Sequence, residues 1–398
     1  MLMNRRLRPT NRNVITIYPA WRAILVVWVL GFWANLTGNC QEVDWLASVT
    51  DPPASFHLDR PGSLAPLLID AMGMPITTWD GWLDERARLR QRWRRFLGPM
   101  PFRPEIRLVV LATETLSSNN PSIPSVTRQW VGYEGEPGWW VEGYLLIPQF
   151  RETSVGSLPG IVALHPTTNA SIDAIAGVDD TAAAKRTAKS IAKIGLNMAE
   201  RGYVVFCPRC FLWQNAESFE AAVANHRQRH PNTKGMAKML YDAMRGVDVL
   251  ESLPYVDRQR IGAIGHSLGA KEVLYLMAFD DRVRVGVASE GGLGFRSTNW
   301  NAPWYLTSEI DDESFPLNHH QLLGLIAPRP LLILGGESGP GAADGERSWV
   351  LIDAALPVWR LSEEPIRLGL LNHRQGHTLS KDSFEKMAEW MQVYLRRE

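Results

Sequence analysis

From Leu158 to the C-terminus, short apolar runs alternate with helix-length segments: IVALH, YVVFCP, RIGAIG, VRVGVAS, PLLILGG and IRLGLL. These runs are continuously apolar, the pattern of strands buried on both faces. Helix-length segments between such strands imply parallel neighbours joined by right-handed crossovers. The expected class is therefore α/β, a mostly parallel central sheet flanked by helices, with its core over 158–398. The helices are predicted near 182–200, 234–252, 268–279, 346–356 and 381–397.

Upstream, the pattern is different. TWDGWLDERARLRQRWRRFLG places Trp82, Leu89, Trp93 and Phe96 at helical spacing, with Thr78 or Asp80 as cap and Gly98 as stop. Its six arginines, Arg86 to Arg95, read as a solvated face with local acidic partners. TRQWVGYEG and WWVEGYLLIP, joined across EGEPG, form a hairpin signal. The sheet thus gains an N-terminal helical and β-hairpin extension. The arginines at positions 5, 6, 8, 12 and 22, followed by AILVVWVLGFW, resemble a signal peptide over 1–40; a retained N-terminal anchor is the competing reading, though the apolar block is short for a span. A linker and the helix then occupy 41–98, and the main domain 99–398. A secreted or periplasmic protein, without stable membrane insertion beyond such an anchor, is the expectation.

Forty-two Lys and Arg balance forty-two Asp and Glu. No overall field favours nucleic acid, so a small neutral or glycan ligand fits better. Beyond Cys40, only Cys207 and Cys210 remain, which excludes a disulfide framework, and their CPRC closes a strand, whereas a redox CxxC opens a helix.

The chemistry concentrates where RIGAIG runs into GHSLG and then into AKEVLYLMAF. Strand, tight turn and helix in that order make a nucleophile elbow, with Gly265 and Gly269 leaving room for a strained turn that lifts the Ser267 hydroxyl above the sheet. A serine hydroxyl needs a base, and the base needs a carboxylate, in the chain order Ser, acid, His. His377 is the preferred base over His373, both lying in LLNHRQGHTLS beyond the last strand. Asp344, after PLLILGG, is placed slightly ahead of Glu290, after VRVGVA, as the acid, with Glu337 third. On that order Asp344→Asn is expected to damage turnover more than Glu290→Gln. The oxyanion hole is expected from Leu268 and from the loop after IVALH, Pro166 and Thr167 in particular; His165 reads as a loop-fixing residue.

With these residues in place, the chain resembles the α/β-hydrolase superfamily across about 158–398, and its dienelactone-hydrolase-like and acetyl-xylan-esterase-like branches. ALHPTT, YVDRQRIGAIGHSLGAKEVLYL, APRPLLILGG and NHRQGH carry the likeness. Some resemblance to glucuronoyl esterases is also present. Lys271 falls four residues after Ser267, and SEGG follows VRVGVA, where fungal members carry a catalytic Glu. Those enzymes have an Arg directly after the nucleophile, whereas this chain has Leu268. The resemblance implies a serine hydrolase cleaving acyl or uronate esters of carbohydrates through an acyl-enzyme. Lys271, Trp213, Trp300 and Trp304 are the candidate substrate contacts, the tryptophans by stacking on sugar rings. An exported carbohydrate- or envelope-binding protein with an idle site, or an amidase or peptidase using the same triad, are the alternatives. No cofactor and no metal are expected, since the histidines are not at ligand spacing with carboxylates.

Overall fold

The apolar runs do become strands, and their alternation fixes which side each residue faces. β4 (Leu158–Leu164), β5 (Val204–Pro208), β6 (Val256–His266), β7 (Val283–Ser289), β8 (Leu331–Gly335) and β9 (Leu368–Asn372) lie parallel. Along β4, Val162 and Leu164 enter one apolar cluster while Ile161 and Ala163 enter the other. A sheet buried on both faces follows directly from that two-residue period. The computed structural model describes residues 45–53, 64–150, 156–168, 170, 172–178, 193–214, 216–338, 341 and 343–395. The targeting segment expected over 1–40 lies outside them.

β1 (Val109–Leu116), β2 (Val126–Glu136) and β3 (Trp139–Pro148) extend the sheet antiparallel, giving the order β1-β2-β3-β5-β4-β6-β7-β8-β9. β2 and β3 are the predicted hairpin, turning at Pro137 and Gly138. β4 is followed by β5 on one side, while β6 takes its place on the other. The loops after β4 and β6 therefore leave the sheet in opposite directions and open a crevice at their carboxyl ends, where ligands of open α/β sheets bind.

After a single helical turn at Trp45–Ser48, the longer helices are α1 (Trp79–Leu97), α2 (Ile194–Ala199), α3 (Phe219–Arg229), α4 (Gly235–Ser252), α5 (Leu268–Phe279), α6 (His319–Ile326), α7 (Trp349–Leu361) and α8 (Lys381–Leu395). The helix expected over 182–200 is found only as α2, which starts at Ile194 after the non-helical Lys193; residues 182–192 of that expectation lie outside the described residues. α3 was not predicted: its mostly polar sequence presents only Ala222, Val223 and His226 to the interior, and no apolar stripe announces it. Thr78 caps α1, accepting the Gly81 N–H. The arginines of α1 do find acidic partners, Arg88 and Arg92 at Glu85, Arg86 and Arg90 at Asp281.

α1 is also a structural wall. Trp82 and Trp93 are fully buried, and Trp93 stacks on His319 and donates to Gln321 Oε1 at 3.1 Å. Trp82 and Trp93 join the same apolar cluster as Leu164 and Leu331 of the sheet. Truncating a buried tryptophan of this kind to Ala costs about 3–5 kcal/mol.

Candidate active site

Ser267 sits between the last residue of β6 and the first of α5 with φ 58 and ψ −115. A non-glycine residue in that region is strained and persists only where its surroundings impose it. They do so here. A Cβ on Gly265 would stand 2.4 Å from the Gly269 backbone, and one on Gly269 would stand 2.1 Å from the Leu164 carbonyl oxygen. The Ser267 N–H donates to the Ser289 carbonyl at 2.8 Å, which ties the turn to the end of β7. Leu268 opens α5, so its N–H belongs to the unpaired first turn of a helix.

The loop after β4 lies beside this elbow because Leu164 pairs with Gly265. His165 holds it: Nδ1 stands 2.9 Å from the Pro166 carbonyl, and Nε2 accepts the Cys210 N–H at 3.2 Å. Those contacts place the ring hydrogen on Nδ1, and burial lowers its pKa to about 4, so the ring stays neutral. One expectation fails here on elementary grounds. Pro166 has no N–H and cannot donate to an oxyanion; Thr167 and Thr168, which do, follow it.

Glu290 directly follows β7 and shares the strained geometry of Ser267, with φ 59. Its N–H donates to Leu334, and its side chain is wholly buried between two histidines. Oε1 stands 2.8 Å from Nε2 of His373, off ideal hydrogen-bond alignment; Oε2 accepts the Ala343 N–H at 3.1 Å and stands 3.6 Å from Nδ1 of His377. Such contacts are often long or misaligned without substrate. Burial works to raise the Glu290 pKa, but the two imidazoles and the Ala343 N–H outweigh it and hold the carboxyl at about 2. His377 keeps 31% of its side chain exposed against 8% for His373. The His377 ring packs 5.0 Å from that of His266, the neighbour of Ser267.

Asp344 is fully engaged elsewhere. Its carboxylate accepts the Gly292 N–H at 2.8 Å, the Leu293 N–H at 2.9 Å and the Ser348 hydroxyl at 3.0 Å. Burial raises its pKa to about 6 despite those donors. The turn after β7 carries the Glu290 carboxylate to the imidazoles, whereas Asp344, placed ahead of it from the sequence, holds that turn's backbone. Glu337 is likewise occupied, by the Glu346 N–H and the Asn372 amide.

Lys271 lies on the first turn of α5. It is buried, donates to the Gly291 carbonyl at 2.7 Å and to Thr298, and lies 3.9 Å from the Trp300 ring centroid. Burial lowers its pKa to about 7, with Asp344 pulling the other way. Trp300 is fully buried, its Nε1 donating to the Gly292 carbonyl at 2.6 Å. It supports the Glu290 turn from beneath and offers no open face for a sugar. Trp213 and Trp304 are half-buried and linked through Phe219, with ring centroids at 4.8 and 5.7 Å, and Trp213 meets His165 at 4.8 Å. The sequence reading missed Phe219, since only the unforeseen α3 brings it there. Among the described residues no group of three or more His, Cys, Asp or Glu is placed to hold a metal ion.

Residues 163–321 match the dienelactone hydrolase family. A 4-O-methyl-glucuronoyl methylesterase of Sodiomyces alcalophilus is 26% identical over 125 residues, 25% of this chain and 25% of that protein. The chain therefore spans about a quarter of the length of this curated relative. Among solved structures, a glucuronoyl esterase from Solibacter usitatus superposes with a TM-score of 0.68 at 19% identity, covering 85% of this chain and 99% of that one. A glucuronoyl esterase from Teredinibacter turnerae gives 0.64 at 20% identity, covering 82% and 88%. The fungal catalytic domain from Hypocrea jecorina gives 0.52 at 18%, covering 86% and 91%. The fold is that of the α/β-hydrolases, as expected.

Proposed function

We propose that the chain is a serine esterase acting on carboxylic esters of carbohydrates, uronate esters foremost. The observation that carries this reading is the convergence of two strained residues: Ser267 on its elbow and, beside it, Glu290 holding imidazoles at the end of the neighbouring strand. Ser267 is assigned as nucleophile, His377 as general base and Glu290 as the acid that orients it. Asp344 is withdrawn from that role. With Nδ1 of His377 turned to Glu290, Nε2 is the nitrogen left for the serine hydroxyl.

Ser267 Oγ attacks the ester carbonyl carbon as its proton passes to His377 Nε2. The oxyanion takes the Leu268 N–H and an N–H from Thr167 or Thr168. The tetrahedral intermediate collapses, the alcohol leaves with the proton from His377, and water hydrolyses the acyl-enzyme by the same steps in reverse. Ser267 forms the covalent bond and the other groups move a proton or stabilise a charge, so this route calls on no cofactor.

The uronate preference rests on Lys271, a buried amine whose position matches the glucuronoyl-esterase pattern and whose N–H groups can donate to the oxygens of a sugar ester. Names of the relatives point the same way. Trp213, Phe219 and Trp304 are proposed as the wall against which a sugar or aromatic alcohol packs. The arginine-rich start with its apolar run supports export to a compartment where plant or envelope polysaccharide is met; no helix among the described residues is long and apolar enough to cross a membrane. The test is a fluorophosphonate probe together with turnover of methyl glucuronate, an acetylated sugar and 4-nitrophenyl acetate. Labelling that disappears in Ser267→Ala, with methyl glucuronate the best of the three substrates, is the expected result. Labelling with no ester turnover, and cleavage of amides instead, would overturn it.

A further inference from the structure

Acyl transfer asks for one imidazole, yet Glu290 carries two. The second is placed with care. Nδ1 of His373 accepts the Gln375 N–H at 3.2 Å, so a neutral His373 keeps its ring hydrogen on Nε2, the atom 2.8 Å from Oε1 of Glu290. The His373 backbone N–H donates to the Gly335 carbonyl at 3.0 Å, anchoring the residue to the end of β8. His373 Nε2 and Glu290 Oε1 face each other at 2.8 Å without hydrogen-bond alignment, and neither is satisfied by any other group. Gly336 makes the approach possible: a Cβ there would stand 2.1 Å from the Gln375 carbonyl oxygen and 2.9 Å from Oε1 itself.

A carboxylate rotates easily about its last torsion, and each of its oxygens can accept from either imidazole. Glu290 additionally starts from a strained backbone. We infer that His373 is a positioning residue: a fixed imidazole whose Nε2 faces Oε1 and, as that contact aligns, takes Oε1 and presents Oε2 to His377. The working unit then has four members, Ser267, His377, Glu290 and His373. This rests on the triad assignment above and adds a residue to it.

Reach separates this role from mere packing. The amide nitrogen of a Gln at 373 extends about as far as Nε2 of the imidazole, whereas that of an Asn stops near Nδ1. His373→Gln, His373→Asn, His373→Phe, Glu290→Gln and the pair His373→Asn with Glu290→Gln are compared by kcat and KM on methyl glucuronate, alongside melting curves. The expected result is kcat down about tenfold to a hundredfold in Asn and Phe with KM within about twofold, the range typical of losing an orienting outer hydrogen bond. His373→Gln stays within about fivefold of wild type. On the Glu290→Gln background, His373→Asn costs less than about twofold more, because the two act through one carboxylate. If Phe fails to fold, the Gln and Asn pair decides alone. Equal activity of Asn and Gln, or full additivity with Glu290→Gln, overturns the inference while leaving the esterase reading intact. A wild type that neither labels with fluorophosphonate nor turns over any ester overturns both.

Discussion

The elbow and the acid–base corner sit side by side at the end of the sheet, yet they are specified in different ways. Five consecutive residues, Gly265 to Gly269, build the elbow, and the contacts that hold its strain are local or reach only the adjacent strands β4 and β7. The corner is assembled from three loops, after β7, β8 and β9, that meet only in the folded sheet. Strain at the elbow is therefore a property of a motif. At the corner it is a property of topology.

That contrast can be broken most severely at the elbow. Ser267→Ala is expected to lower kcat on the order of 10⁶-fold, with the fold retained, measured by ester turnover and melting temperature together. At the corner, Glu290→Gln is expected to lower kcat by about 10⁴, since the imidazole loses both its orienting partner and the charge that stabilises it. Retention of wild-type turnover in Glu290→Gln would return the acid to Asp344.

Asp344→Asn sharpens the comparison from the other side. It replaces one of the acceptors facing Gly292, Leu293 and Ser348 by a donor, which costs about 1–3 kcal/mol. A fall of a few degrees in melting temperature with kcat within about tenfold is the expected pairing; the reverse, a stable but inactive variant, would contradict the assignment made here.

A smaller effect follows from Lys271. Its pKa is lowered to about 7, so the amine is charged below that pH and loses its charge as pH rises through it. Competitive inhibition by glucuronate should accordingly weaken, by up to about tenfold, between pH 6 and pH 8.5 if the amine meets the uronate. The same shift bears on stability with the opposite sign. A lysine ordinarily titrating at 10.5 binds more protons unfolded than folded between pH 7 and 10.5, so its contribution to stability rises with pH across that window. Glu290 behaves conversely: the stabilisation from its lowered pKa is complete above about 4.5 and is lost as pH falls to about 2. Flat inhibition across the range would show that Lys271 does not meet the uronate.

The parts of this arrangement that could be read in advance are those written in consecutive residues. Ser267, its two glycines, the strand runs and the caps of α1 all declare themselves by spacing. The choice between Asp344 and Glu290 did not, because each follows a strand end and neither sequence says which loop turns inward. The proposed choice of Glu290 rests on its left-handed backbone, and left-handed backbone at a glutamate has no signature beyond the glycines that follow. The burial of Trp300 was illegible for a related reason. Sixteen tryptophans in the chain include six that are fully buried, so composition alone does not separate a sugar platform from a core residue. Phe219 stayed hidden because the helix that carries it lacks an apolar stripe.

The turn after β7 and the loop after β8 are cross-linked in both directions: Glu290 takes an N–H from Ala343, and Asp344 takes two from Gly292 and Leu293. A loop transplanted from a related enzyme after either strand would arrive without its counterpart. The length of the β8 loop thereby meters how far a carboxylate belonging to a different strand can extend. Lineages varying that loop to change substrate access must vary the other at the same time, and directed recombination with a crossover between 293 and 343 should yield soluble but inactive chimeras far more often than crossovers elsewhere in the sheet.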